Sequence, residues 1–109
     1  MLVEEEINEI IAILVKHQSR EGFAHREWSV LLYACHAIGQ AHGDLQRWRE
    51  IAHTISQASQ KYDAAATDRA FEDGSTYGSY TISTIRHYAR AADPHTFYAI
   101  AAKYVNLDE

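Results

Sequence analysis

The sequence predicts an all-α protein, a compact bundle of five to six helices. Three observations predict it. Apolar residues recur at i, i+3, i+4 and i+7 through most of the 109 residues, and no alternating pattern of useful strand length interrupts them. Punctuation is sparse, with five glycines and one proline, so long elements follow. Aspartates stand at the expected helix starts, Asp44, Asp63 and Asp93. The length suits one domain over residues 1–109, with a single core and no room for a large buried active-site cavity.

The first helix is read over residues 3 to 16, where Ile7, Ile10, Ile11 and Leu14 share a face. Glutamates fill its first turn and complement the helix dipole. Gly22 breaks the pattern. The second helix runs over 25 to 42 with Trp28, Leu31, Leu32, Cys35 and Ile38 inward, and Gly43 ends it. Asp44 caps a third, whose stripe is Leu45, Trp48, Ala52 and Ile55. Asp63 caps a short fourth helix from Ala64 to about Phe71. Thr81 or Ser79 starts a fifth, with Ile82, Ile85, Ala89 and Ala92 inward. Asp93 and Pro94 restart the chain as a sixth, since proline suits the first helical position. Phe97, Ile100 or Ala101, and Tyr104 face its core side.

Composition excludes several classes of function. The formal net charge of −5 argues against strong nonspecific DNA binding. Seven acids, Asp108 and Glu109 among them, lie near the two ends. Between Lys16 and Arg90 there are nine Lys/Arg against eight Asp/Glu, which leaves room for a local basic face. Cys35 is alone and sits in an apolar run, as a small buried hydrophobe does. No apolar stretch approaches the roughly 18 residues of a membrane span, and the acidic start lacks the order of a secretory signal. A soluble, cytoplasmic protein without a membrane partner is expected.

Seven histidines carry no metal-ligand spacing: His36 and His42 stand six apart, and no HExxH or CxxC occurs. No GxxxxGK[ST] loop is present. No catalytic residue and no metal ligand is therefore assigned. Two segments are candidates for binding. In "EDGSTYGSYTISTIRHYAR", residues 72 to 90, Ser83, Arg86, His87 and Arg90 form a stripe beside the apolar stripe of the fifth helix. Thr81 stands at its amino terminus, where free N–H groups favour anions, and Tyr77 and Tyr80 lie within stacking reach. Gly74 and Gly78 let the backbone approach a ligand. The same residues also make an ordinary polar helix face behind a capped connection. In "SQASQKYD", Lys61 and Tyr62 suit a phosphate and a base, or else a loop lysine and a tyrosine packed on the bundle. Trp28 and Trp48 read as core residues.

The order of the segments "WSVLLYACHAIGQAHGD", "SQASQKYD", Phe71 and "YTISTIRHYARAAD" resembles the second primase C-terminal (PriCT-2) family over about residues 25 to 93. Ser56, Ser59, Lys61, Tyr62 and Asp63 match its middle motif; Thr81, Ile82, Thr84, Ile85, His87 or Tyr88, Ala89 and Arg90 match its last. Ser83 replaces the usual glycine, and Ile55 stands where a tryptophan is usual. The resemblance implies an accessory helix-bundle domain of a primase-polymerase in phage, plasmid or viral replication, itself not an enzyme. Its implied partners are single-stranded template DNA, a nucleotide, and adjacent primase-polymerase and helicase domains. No cofactor is implied for the domain itself beyond ATP with magnesium as a ligand. The implied contacts are Lys61, Tyr62, Tyr77, Tyr80, Thr81, Ser83, Arg86, His87 and Arg90. The alternative is an interaction module that couples primase to helicase and touches no nucleic acid.

Overall fold

The computed structural model describes residues 3–77 and 79–105. Gly78, Asp108 and Glu109, named above, lie outside the described residues. Six α-helices follow one another: α1 Glu4–Arg20, α2 His25–Ala41, α3 Leu45–Gln57, α4 Ala64–Asp73, α5 Ile82–Ala92 and α6 Pro94–Val105. No strand occurs among the described residues. The Cα radius of gyration is 13.3 Å, the value for a chain of this length folded around one core.

The helix ends follow local chemistry. Asp63 Oδ1 accepts the Ala66 N–H at 3.0 Å, Thr81 Oγ1 that of Ser83 at 3.2 Å, and Asp93 Oδ1 that of Thr96 at 3.1 Å. Each satisfies one of the free donors of a first turn. Asp44 holds the same position before α3, but its carboxylate does not cap; it lies 3.9 Å from the Arg47 guanidinium. Gly22 and Gly43 have φ of +78° and +68°, the left-handed region that terminates α1 and α2. After α2 the closure is complete: Asp44 N–H donates to Gly39 O at 2.7 Å and Gly43 N–H to Gln40 O at 3.3 Å. After α1 a side chain substitutes for the backbone. Gln18 Oε1 accepts the Phe23 N–H at 2.7 Å, so α1 runs one turn beyond the apolar pattern that located it.

The core takes a contribution from every helix: Ile7, Ile10 and Leu14 of α1, Leu31, Leu32 and Cys35 of α2, Trp48 and Ile55 of α3, Phe71 of α4, Ile85 of α5 and Ile100 of α6. Of the two alternatives in α6, Ile100 is buried and Ala101 is half-buried. Phe97 and Tyr104 pack against the core from the edge. Trp28, expected in the core, is half-buried at its margin. Its indole N–H bonds Ser56 Oγ at 2.8 Å, and a polar tip that must find a partner keeps the ring near the surface.

The acidic first turns of α1 meet bases on three other helices. Glu4 pairs with Arg47 of α3 at 3.2 Å, Glu6 with Arg86 of α5 at 2.9 Å, and Glu9 with Lys103 of α6 at 2.5 Å. Glu9 also accepts the Tyr104 hydroxyl at 2.6 Å. The bonds from Lys103 and then Tyr104 hold the Glu9 carboxyl below its ordinary range, and the Glu9 bond pushes the Tyr104 phenol up to about 12. Ion pairs at the surface are screened by water and contribute little energy, but they orient the helices around α1. No described helix is long and apolar enough to cross a membrane.

Candidate functional site

A cleft of about 350 Å³ opens where the end of α1, the start of α2, the end of α3 and the start of α4 meet. Gln18, Phe23, His25 and Trp28 line it from one side, and Ser56, Ser59, Lys61, Tyr62, Asp63 and Thr67 from the other. The turn from α3 to α4 builds the second wall. Ser59 closes it twice, accepting the Tyr62 N–H at its carbonyl (3.2 Å) and the Lys61 N–H at its hydroxyl (3.1 Å). Ser56 joins the walls: its hydroxyl donates to Ala52 O at 2.8 Å and accepts the Trp28 indole N–H.

Tyr62 is held from behind. Its hydroxyl lies 2.7 Å from His53 Nδ1, and His53 Nε2 lies 2.7 Å from Asp68 Oδ1. An ionised carboxylate only accepts, so the His53 nitrogen facing Asp68, Nε2, carries a proton. Arg49 extends the chain, reaching Asp68 at 3.2 Å and Glu72, with its guanidinium 4.8 Å from the centre of the Phe71 ring. The His53 bond, followed by that of Arg49, lowers the Asp68 carboxyl from its ordinary value. Arg49 is committed to these acids. Lys61, exposed at the cleft mouth, has no ion-pair partner among the described residues.

The α5 residues lie elsewhere. This helix packs on α1, α2 and α6 and makes no contact with α3 or α4 among the described residues. Thr81 is engaged as its cap, and Arg86 is held by Glu6. Ser83, His87 and Arg90 are exposed; His87 stands edge-on to Tyr88 at 5.3 Å, and Arg90 has no ion-pair partner among the described residues. Tyr77 and Tyr80 meet across Tyr33 of α2, with ring centres 5.1 Å and 6.4 Å from it. The structure thus brings Lys61 and Tyr62 together with Trp28, and Tyr77 with Tyr80, but it does not join the two groups. Gly74 serves neither. It ends α4 with an ordinary φ of −57°, and its missing side chain makes room for His36 of α2, so the close approach is between two helices.

Sequence reasoning missed Gln18, Tyr33, His53 and Asp68. Gln18 was legible in part, because it continues the stripe of Ile11 and Leu14 as a polar residue on a buried face. Nothing local marks His53 and Asp68, which meet across 15 residues. Cys35 is fully buried, and burial pushes its thiol up to about 12, so it offers no nucleophile. Among the described residues no group of three or more His, Cys, Asp and Glu could hold a metal ion.

The family model for primase C terminal 2 (PriCT-2) matches residues 11–89. That span includes every residue of the cleft and the whole of α5 except its last turn. No curated protein and no solved structure matches the chain.

Proposed function

The chain belongs to the primase C terminal 2 family, and on that premise we propose that it is the accessory domain of a primase-polymerase and that its cleft holds a nucleotide during primer synthesis. One observation carries the reading. Trp28, Ser56, Ser59, Lys61, Tyr62 and Asp63, drawn from two motifs 28 residues apart, converge on a single cleft. Two aromatic walls suit a base, and an unpaired ammonium at the mouth suits a phosphate. Magnesium–ATP is the simplest ligand of that kind. The domain itself has no catalytic role in this reading. The chemistry belongs to a neighbouring polymerase domain, and the template strand runs over the α5 face, past Tyr77, Tyr80 and Arg90.

A second reading for the α5 face has its own support. The net charge is −5 and Arg86 is already paired with Glu6, so this face also suits a docked protein domain. A titration followed by Trp28 fluorescence and by amide NMR separates them. Magnesium–ATP is expected to shift cleft resonances in wild type and not in Lys61→Ala, Tyr62→Leu. Single-stranded DNA is expected to shift α5 resonances at low salt and not in Arg86→Ala, Arg90→Ala. Silence of the cleft toward ATP refutes the nucleotide reading; silence of α5 toward DNA leaves α5 as a protein-docking face.

A further inference from the structure

The cleft contains a polar group whose hydrogen-bond polarity is settled by its surroundings. Gln18 is only 9% exposed and lines the cleft from α1. Its Oε1 accepts the Phe23 backbone N–H at 2.7 Å. A backbone N–H can only donate, so the side-chain oxygen must be the atom turned toward it and the NH₂ group is the one left over. That NH₂ has no hydrogen-bond partner among the described residues. The only fully enclosed side-chain nitrogen or oxygen without a partner among them is His36 Nδ1, so the Gln18 nitrogen remains open to the cleft.

Several of the neighbouring groups are committed. The Trp28 N–H goes to Ser56, the Ser56 hydroxyl to Ala52 and the Thr67 hydroxyl to Asp63 O, while the Tyr62 hydroxyl is paired with His53. The Ser59 hydroxyl accepts from Lys61 N–H and keeps its own proton free. The donors that the cleft offers a ligand are therefore the Gln18 NH₂, the Ser59 O–H and the Lys61 ammonium at the mouth, beside the Asp63 carboxylate and the His25 ring that also line it. The volume, about 350 Å³, lies at the small end of ligand pockets and suits a base with its sugar.

We propose that Gln18 is the base-selecting residue of this cleft: it donates from its NH₂ to a ring nitrogen or carbonyl of a nucleoside triphosphate whose phosphates reach Lys61. This rests on the nucleotide reading above. A base without an acceptor at that edge leaves a buried donor unpaired and is rejected.

Gln18→Glu tests it. The substitution keeps the side-chain volume and an oxygen for the Phe23 N–H, replaces the donor with an acceptor and adds a negative charge, so the analogue profile and not the affinity alone is the diagnostic readout. Affinities of wild type and variant are measured by calorimetry for the four ribonucleoside triphosphates. They are then measured for deaza analogues of the best-bound base, in which a ring nitrogen becomes C–H. Wild type is expected to lose at least about tenfold in affinity for the analogue that lacks the contacted acceptor. The variant is expected to bind the parent nucleotide at least about tenfold more weakly and to lose that discrimination. Thermal melting monitors the fold, and Gln18→Leu serves in its place if the first variant does not fold. A variant that binds as wild type does, with the same analogue profile, overturns the Gln18 assignment and leaves the nucleotide site standing. Absence of triphosphate binding by wild type overturns both.

Discussion

Gly74→Ala should destabilise the protein, although every local rule says the opposite. The residue ends α4 with φ −57°, which alanine adopts freely, and such a change ordinarily stabilises by about 0.4–1 kcal/mol through the unfolded chain. Packing reverses the sign. A Cβ at this position would lie 2.6 Å from His36 Cβ, 2.9 Å from Phe71 O and 3.1 Å from His36 Cγ. None of these is the far end of a flexible side chain. His36 is itself 7% exposed, with its ring 5.1 Å from Phe71, so it cannot swing aside. Relief requires α2 and α4 to separate, and overpacking of this kind costs about 1–3 kcal/mol. The net expectation is a loss of about 1–2 kcal/mol, or a fall in melting temperature of about 4–10 °C in a domain of this size. Urea unfolding followed by circular dichroism should show a lower midpoint with an unchanged slope. Gly43→Ala is the control: nothing lies within 4 Å of its Cβ position, so any loss there comes from φ +68° alone. A melting temperature for Gly74→Ala at or above that of wild type would refute the packing argument and return Gly74 to the role of a loop glycine near a ligand.

Three further outcomes are expected. Trp28→Phe loses the bond to Ser56 and should cost about 0.5–1.5 kcal/mol, whereas Trp48→Ala, at a residue 1% exposed, should cost about 3–5 kcal/mol; equal losses for Trp28→Ala and Trp48→Ala in urea would place Trp28 in the core after all. Cys35 should resist a chromogenic disulfide reagent at pH 8 until the protein is unfolded, because its thiol is buried and pushed up to about 12; reaction at the rate of a free thiol in the folded state would contradict its burial. Asp68 has a folded-state pKa lowered, first by His53 and then by Arg49, from the ordinary 3.8. Its contribution is therefore fully present above that value and is lost as the pH falls through the lowered one. The stability advantage of wild type over Asp68→Asn should shrink as the pH falls below about 4, and an advantage undiminished at about pH 2 would show that the carboxylate makes no such contact in the folded protein.

What the sequence determined by itself was whatever depends on neighbours within about one turn. The helices, the inward faces led by Ile7, Leu31, Ile55 and Ile85, and the caps at Asp63 and Asp93 could be read directly, with Thr81 one of two candidates beside Ser79, because periodicity and first-turn chemistry act over three or four residues. The family motifs were legible for the same reason, as short runs in fixed order. Tertiary structure alone decided which faces meet. It paired Arg86 with Glu6 across 80 residues, so a side chain on a plausible phosphate stripe is engaged with α1. It drew Trp28 out of the core toward Ser56, placed Lys61 and Tyr62 in a cleft that α5 does not reach, and tied Tyr62 to Asp68 through His53. It also placed Gln18, at the tail of an apolar stripe, on the wall of the cleft. Helical spacing says which side of a segment is covered. The distance and angle at which two covered sides pack are set by the volumes of residues far apart in the chain, and those distances decide which polar groups are committed and which remain for a ligand.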